Sequence, residues 1–199
     1  MNYFTISTVN TGEFRDKGSK FFAFVYPIES LDDYKSKLQH YKSAHPKACH
    51  VCSAYRLYSN GQLDEYASDD GEPLGSSGPP ILNSIKRHDI INVAIYVVRY
   101  FGGTKLGIPG LINAYSSGAE DALLDIAKAP WKPTMLVLVE HGYEHANIMD
   151  IVVAKFQANI IDQDFGEIIE TNIQIDKGLE LEFDKFLLEK SNGKLSIKR

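Results

Sequence analysis

Residues 68–82 read S-D-D-G-E-P-L-G-S-S-G-P-P-I-L, and residues 97–115 read V-V-R-Y-F-G-G-T-K-L-G-I-P-G-L-I-N-A-Y. Between them, residues 90–100 (I-I-N-V-A-I-Y-V-V-R-Y) form a nearly continuous β-branched and aromatic run, the pattern of a central strand buried on both faces. Pro80 suits a helix start ahead of Ile81, Leu82 and Ile85. Gly102-Gly103 turns the chain. Pro109 then fits the first position of a helix carrying Leu111, Ile112, Tyr115, Ala119, Ala122, Leu123 and Ile126 on one face. The segment therefore predicts helix, strand, turn and helix, with a glycine-rich loop before each helix. So much glycine implies unusual backbone torsions or close approach to something else.

Working outward, residues 3–9 alternate as a strand, Gly12 and Gly18 suggest turns, and residues 20–28 (K-F-F-A-F-V-Y-P-I) are β-prone. Ser30-Leu31-Asp32-Asp33 has the form of a capping box. Leu31, Tyr34, Leu38 and Tyr41 then recur at helical spacing until His45-Pro46 ends the run. A strand over 50–58, a turn at Ser59-Asn60-Gly61 and a glycine-rich acidic segment over 61–80 follow. Ala129-Pro130-Trp131-Lys132-Pro133 reads as a boundary. Beyond it come a strand (134–142), a helix (144–157), a hairpin (159–164 and 167–175, turning at Phe165-Gly166), a helix (179–189) and a strand (194–198). That β-α-β-β-α-β order is the ferredoxin-like unit. The expectation is a two-domain α+β chain, with an N-terminal α/β domain over 1–129 and a ferredoxin-like domain over 134–199.

The 199 residues are 44% hydrophobic and carry a net charge of -5. Residues 1–60 hold eight Lys/Arg against five Asp/Glu, whereas 61–128 hold five against nine and 129–199 hold eight against twelve. This balance disfavours tight non-specific nucleic-acid binding and carries no DNA-specific signal, yet it leaves room for a basic face in the first sixty residues. No apolar run approaches the ~20 residues that span a bilayer, and the first residues lack the pattern of a signal peptide. The expected location is cytoplasmic, away from membranes. Cys49 and Cys52 are spaced C-x-x-C, but on a strand they face opposite sides, and no second ligand pair accompanies them, so a structural role is expected. His50 and Cys52 share a face.

Asp69, Asp70 and Glu72 are hard oxygen ligands that could hold Mg²⁺ or face a cationic partner; equally, Asp-Asp-Gly is a turn whose side chains bond nearby N–H groups. Arg99 and Lys105, with Gly102, Gly103 and Gly107, place a glycine turn and cations before a helix, a recipe for an anion site. Alternatively the two loops neutralise each other. The order G-K-[ST] of a Walker loop and the G-x-G-x-x-G of a dinucleotide loop are both missing, no serine has a nucleophile elbow, and the six histidines show no ligand spacing. No catalytic residue, metal set or cofactor is therefore assigned.

The segments A-C-H-V-C-S-A-Y (48–55), S-D-D-G-E-P-L-G (68–75), R-Y-F-G-G-T-K-L-G (99–107), and Gly110-Leu111 with Ala114-Tyr115 resemble the IMPACT family over about residues 14–127. The resemblance implies an N-terminal domain like domain IV of elongation factor G and, for the bacterial branch, a C-terminal domain like its domain V. It also implies a role in translation or stress regulation through binding rather than catalysis. Two departures stand out: Ile108-Pro109 stiffens a helix start where relatives tend to have A-G, and Gly75-Ser76-Ser77-Gly78-Pro79-Pro80 lacks a lysine that relatives tend to carry. The expected binding face comprises His50, Asp69, Asp70, Gly71, Glu72, Arg99, Tyr100, Gly102, Gly103, Lys105 and Gly107. The expected partner is RNA, the ribosome or a protein. The competing expectation is a Mg²⁺-dependent enzyme acting on a phosphorylated small molecule or nucleic acid, with Asp69, Asp70 and Glu72 on the metal and Lys105 stabilising charge.

Overall fold

The computed structural model describes residues 3–59 and 61–198, so Asn60 of the expected turn at 59–61 lies outside the described residues. The chain divides into two compact units, Met1–Trp131 and Lys132–Arg199.

The first unit runs β1 (Tyr3–Ile6), β2 (Asn10–Asp16), β3 (Ser19–Pro27), α1 (Leu31–Ala44), β4 (His50–Ser59), β5 (Gln62–Ser68), α2 (Gly78–Arg87), β6 (Val93–Tyr100), α3 (Gly107–Leu123) and β7 (Lys128–Trp131). Five strands form an antiparallel sheet in the order β2-β3-β6-β4-β5. The apolar run that ends at Tyr100 thus becomes the middle strand. Helix α1 packs on one face through Tyr34 and Tyr41, which meet Val51, Tyr55, Tyr96 and Val98. On the other face, α2 (Ile81, Ile85) and α3 (Leu111, Ala114, Tyr115, Ala119) cover Phe21, Ala23, Cys52, Ala54, Ile95 and Val97. Helix α1 starts as its sequence requires, with the Asp33 N–H donating to Ser30 Oγ at 3.1 Å.

Three strands depart from expectation. Strand β2 occupies the stretch assigned to turns. Gly18 (φ +80°) and Lys17 (φ 44°) do form the β2–β3 hairpin turn, but Gly12 lies within the strand. A Cβ on Gly12 would sit 2.3 Å from the Ala122 backbone N, so this glycine permits the end of α3 to lie against β2. Gly12→Ala is accordingly expected to cost about 2 kcal/mol through overpacking, read as a lower urea midpoint. Strand β5 carries Asp64 and Glu65, charges that suit an edge and hide its periodicity. The first part of the boundary stretch 129–133 is strand β7, paired with β1 in a separate ribbon where Pro130 needs no ladder partner on its free side, and the two units divide just after it.

The second unit runs β8 (Thr134–His141), a 3₁₀ turn, α4 (Ala146–Phe156), β9 (Asn159–Phe165), β10 (Ile169–Asp176), a 3₁₀ turn, α5 (Glu180–Lys190) and β11 (Ile197–Lys198). Its antiparallel sheet has the order β11-β8-β10-β9, the ferredoxin-like arrangement expected from β-α-β-β-α-β. Val137, Val139, Ile173 and Ile175 project from one face onto Met149, Val152, Phe156, Phe183 and Leu187. No helix among the described residues is long and apolar enough to cross a membrane.

Candidate anion-binding site

Strand register sets the site. Phe21 on β3, Arg99 on β6 and His50 on β4 are direct cross-strand partners, so all three face the α2–α3 side, at the end where β6 gives way to the Gly102-Gly103 turn. Gly102 is required there: a Cβ would lie 1.9 Å from the Gly18 carbonyl carbon, so the two turns touch backbone to backbone. Tyr100 faces the opposite side, where its hydroxyl and His45 Nδ1 lie 2.7 Å apart.

The loop from Ser68 to α2 is held by its own carboxylates. Asp69 Oδ1 accepts the N–H groups of Ser77 and Gly78 and the Ser77 hydroxyl at 3.0, 2.8 and 2.7 Å, while Oδ2 accepts Gly75 N–H at 2.8 Å. Burial opposes the Asp69 charge, but these donors outweigh it and hold the carboxyl below the usual aspartate range. Asp70 sits in the left-handed region (φ 45°); its side chain accepts Val51 N–H at 2.7 Å and Lys42 Nζ at 2.6 Å. Its carbonyl accepts from His50 Nδ1 at 2.8 Å, which leaves His50 Nε2 4.0 Å from Glu72 Oε1. Gly71 (φ +89°) passes over that imidazole.

Glu72 is the contact between the two loops. Its side chain is 4% exposed, and Oε1 accepts both Arg99 Nη1 and, at 2.7 Å, the Tyr115 hydroxyl from α3. Burial, Cys52 and Glu72 all push the Tyr115 pKa up, so it stays a donor. Burial likewise pushes the Cys52 thiol up to about 12, and both cysteines are free. Sequence reasoning missed the role of Tyr115: it reads as one more apolar-face residue of a helix, with nothing to mark a buried acceptor 43 positions away.

The basic loop is only half consumed. The Arg99 side chain is 7% exposed and lies between the Phe21 and Phe101 rings at 5.5 and 5.7 Å, yet its buried Nε has no acceptor. Lys105 is exposed and, among the described residues, has no ion-pair or hydrogen-bond partner. Helix α3 begins at Gly107 (φ +72°), with Pro109 third rather than first. Leu106 supplies no side-chain cap, so the N–H groups of Gly107 and Ile108 lack the capping acceptor that α2 finds in Asp69. Glu72, Arg99, Phe101, Lys105, Ile108 and Leu111 line a cavity of about 380 Å³ at this helix start. Lys105, an Arg99 guanidinium paired with Glu72 and a helix's positive end meet there, an arrangement that favours an anion. Gly103 (φ +89°) shapes the turn above it.

The Mg²⁺ arrangement of Asp69, Asp70 and Glu72 is not formed: each carboxylate answers to a different set of protein donors, and no three His, Cys, Asp or Glu side chains gather as ligands among the described residues.

A family model described as the Impact N-terminal domain matches residues 17–123. An IMPACT family member of Haemophilus influenzae (strain ATCC 51907 / DSM 11121 / KW20 / Rd) is 31% identical over 182 residues, covering 91% of this chain and 88% of that one. The IMPACT family member YvyE of Bacillus subtilis (strain 168) is 28% identical over 197 residues, covering 99% and 90%. A crystal structure described as that of a hypothetical protein superposes with a TM-score of 0.72 at 24% identity, covering 98% and 96%, which gives the same fold across both units. The chain belongs to the IMPACT family.

Proposed function

We propose that this chain is a binding protein of translation or stress regulation that holds RNA, free or on the ribosome, by a backbone phosphate at the start of α3. The observation that carries the reading is the contrast between the two helix starts: α2 is closed by the internal Asp69 carboxylate, whereas α3 is open beside the unpartnered Lys105 and the unsatisfied Arg99 Nε. Phosphate supplies the acceptor oxygens that Lys105 and the helix start lack, and it needs no base sequence to be recognised. Membership of the IMPACT family supports the regulatory setting, given the association of its eukaryotic members with control of translation. His50, Asp69, Asp70 and Gly71 act indirectly, by fixing the loop that presents Glu72 to Arg99.

The test is fluorescence anisotropy of a labelled single-stranded RNA over a salt series. Wild type is expected to bind at low salt. Lys105→Ala is expected to weaken binding several-fold for all sequences and to reduce the slope of log K against log salt by about 1. Absence of binding at low salt, or an unaltered slope in Lys105→Ala, overturns the phosphate seat. Capture of a partner that survives nuclease treatment would replace RNA with a protein.

A further inference from the structure

A second cavity, of about 430 Å³, lies at the same end of β6 on the α1 side of the sheet. Its walls include Lys20, Phe22, Phe24, His45, Tyr100 and Phe101. The reason it exists is the length of α1. Residues Lys20, Phe22, Phe24 and Tyr26 alternate onto this face of β3, and their cross-strand partners on β6 are Tyr100, Val98, Tyr96 and Ala94. Helix α1 covers the Tyr96 end and stops at His45, the residue that caps it. Phe24 is stacked under Tyr41 at 4.3 Å and Phe22 has Tyr100 edge-on at 6.0 Å, and both rings stay half-buried. Phe101 is 52% exposed.

Phe101 lines both cavities, so the aromatic shelf and the anion seat form one track around the end of β6. Lys20 is exposed on the shelf. On the neighbouring edge strand, Glu13 is opposite Phe22 and is paired with Arg15. Aromatic faces with a flanking cation, continuous with a phosphate seat, are the chemistry of a single-stranded nucleic acid, whose unpaired bases offer π-faces at regular spacing from their phosphates. A duplex keeps its bases stacked inside and offers this shelf nothing. Both cavities fall in the ~300–1,000 Å³ range of small-ligand sites, enough for a nucleotide's base and phosphate side by side.

We infer that Phe22, Tyr100 and Phe101 stack an unpaired base of single-stranded RNA while Lys105, Arg99 and the start of α3 hold the adjoining phosphate. This rests on the phosphate reading above and specifies the ligand as unpaired.

The experiment uses the full chain and three labelled probes: a twelve-residue oligouridylate, an abasic strand of the same length, and a twelve-base-pair RNA duplex. Wild type is expected to bind oligouridylate about tenfold more tightly than either of the others. Phe22→Leu/Phe101→Leu keeps the positions apolar but removes two ring faces; it is expected to abolish that preference. Phe101→Leu alone, at an exposed position, is expected to remove part of it and guards against misfolding of the double variant. If wild type binds base-bearing and abasic strands equally, or if neither ring substitution reduces the preference, the shelf is overturned and the phosphate seat stands. If wild type prefers the duplex, the shelf is overturned likewise. If no probe binds at low salt, both fall.

Discussion

Replacing Glu72 by alanine is expected to destabilise the first unit by about 3–5 kcal/mol, because it strands a guanidinium that is 7% exposed with no carboxylate to face. Arg99 Nε already lacks an acceptor, so removing Glu72 takes the anion from Nη1 as well and leaves the Tyr115 hydroxyl unmatched. The Phe21 and Phe101 rings offset only part of this, since cation–π contact contributes about 0.5–2 kcal/mol. Tyr115→Phe removes one neutral donor from an acceptor that keeps its cation, and should cost about 1 kcal/mol. The informative control is Glu72→Leu with Arg99→Met: removing both charges together should recover much of the loss, as for other buried pairs replaced by apolar side chains. Urea unfolding followed by tryptophan fluorescence checks the series. Trp131 is the chain's single tryptophan and packs 4.7 Å from the Tyr58 ring within the first unit, so it reports on that unit. A Glu72→Ala midpoint equal to wild type would show that the pair contributes nothing.

The same cluster shows what a sequence carries and what it does not. Strand β6 and the βαββαβ unit were legible because burial on one or both faces writes a period into the chain; Val137, Val139, Ile173 and Ile175 could hardly sit elsewhere. Strands β2, β5 and β7 were not, for three separate reasons. Gly12 looks like a turn residue but serves a helix contact, Asp64 and Glu65 are permitted by an edge, and Pro130 is tolerated in a two-stranded ribbon. Within the site, residue types marked the start of α3, since Lys105 ahead of a glycine-led helix is a local pattern. Which carboxylates would be spent internally was not local information. Asp69 and Asp70 differ by one position, yet one closes α2 while the other bridges β4 and Lys42 of α1. The aromatic shelf was hidden further still, because Phe22 reads as a core residue and only the fold shows that its ring stays half-buried.

Asp69→Ala is the second large effect, expected at about 3 kcal/mol at neutral pH. The carboxylate satisfies three backbone N–H groups and a hydroxyl, and α2 has no other side-chain cap. A lost cap alone costs about 0.5–2 kcal/mol, and the extra donors left without partners raise it. Asp69→Asn should recover little, because its amide NH₂ would face donors on one side. The pH dependence separates this from a simple cavity. Asp69 is held below its ordinary pKa of about 3.9, so its contribution is fully present above that value and is lost as pH falls through the lower folded-state pKa. The gap between wild type and Asp69→Ala should therefore be constant from pH 7 to about 5 and shrink below about 4; a gap unchanged at pH 2–3 would mean the charge is not what closes the loop. Because residues 69 and 75 clamp the ends of the segment that presents Glu72, the Asp69 and Glu72 substitutions act on one structure. Their combined cost should fall short of the sum, and that shortfall measures how far the Asp69 clamp on α2 holds the Glu72–Arg99 contact in place.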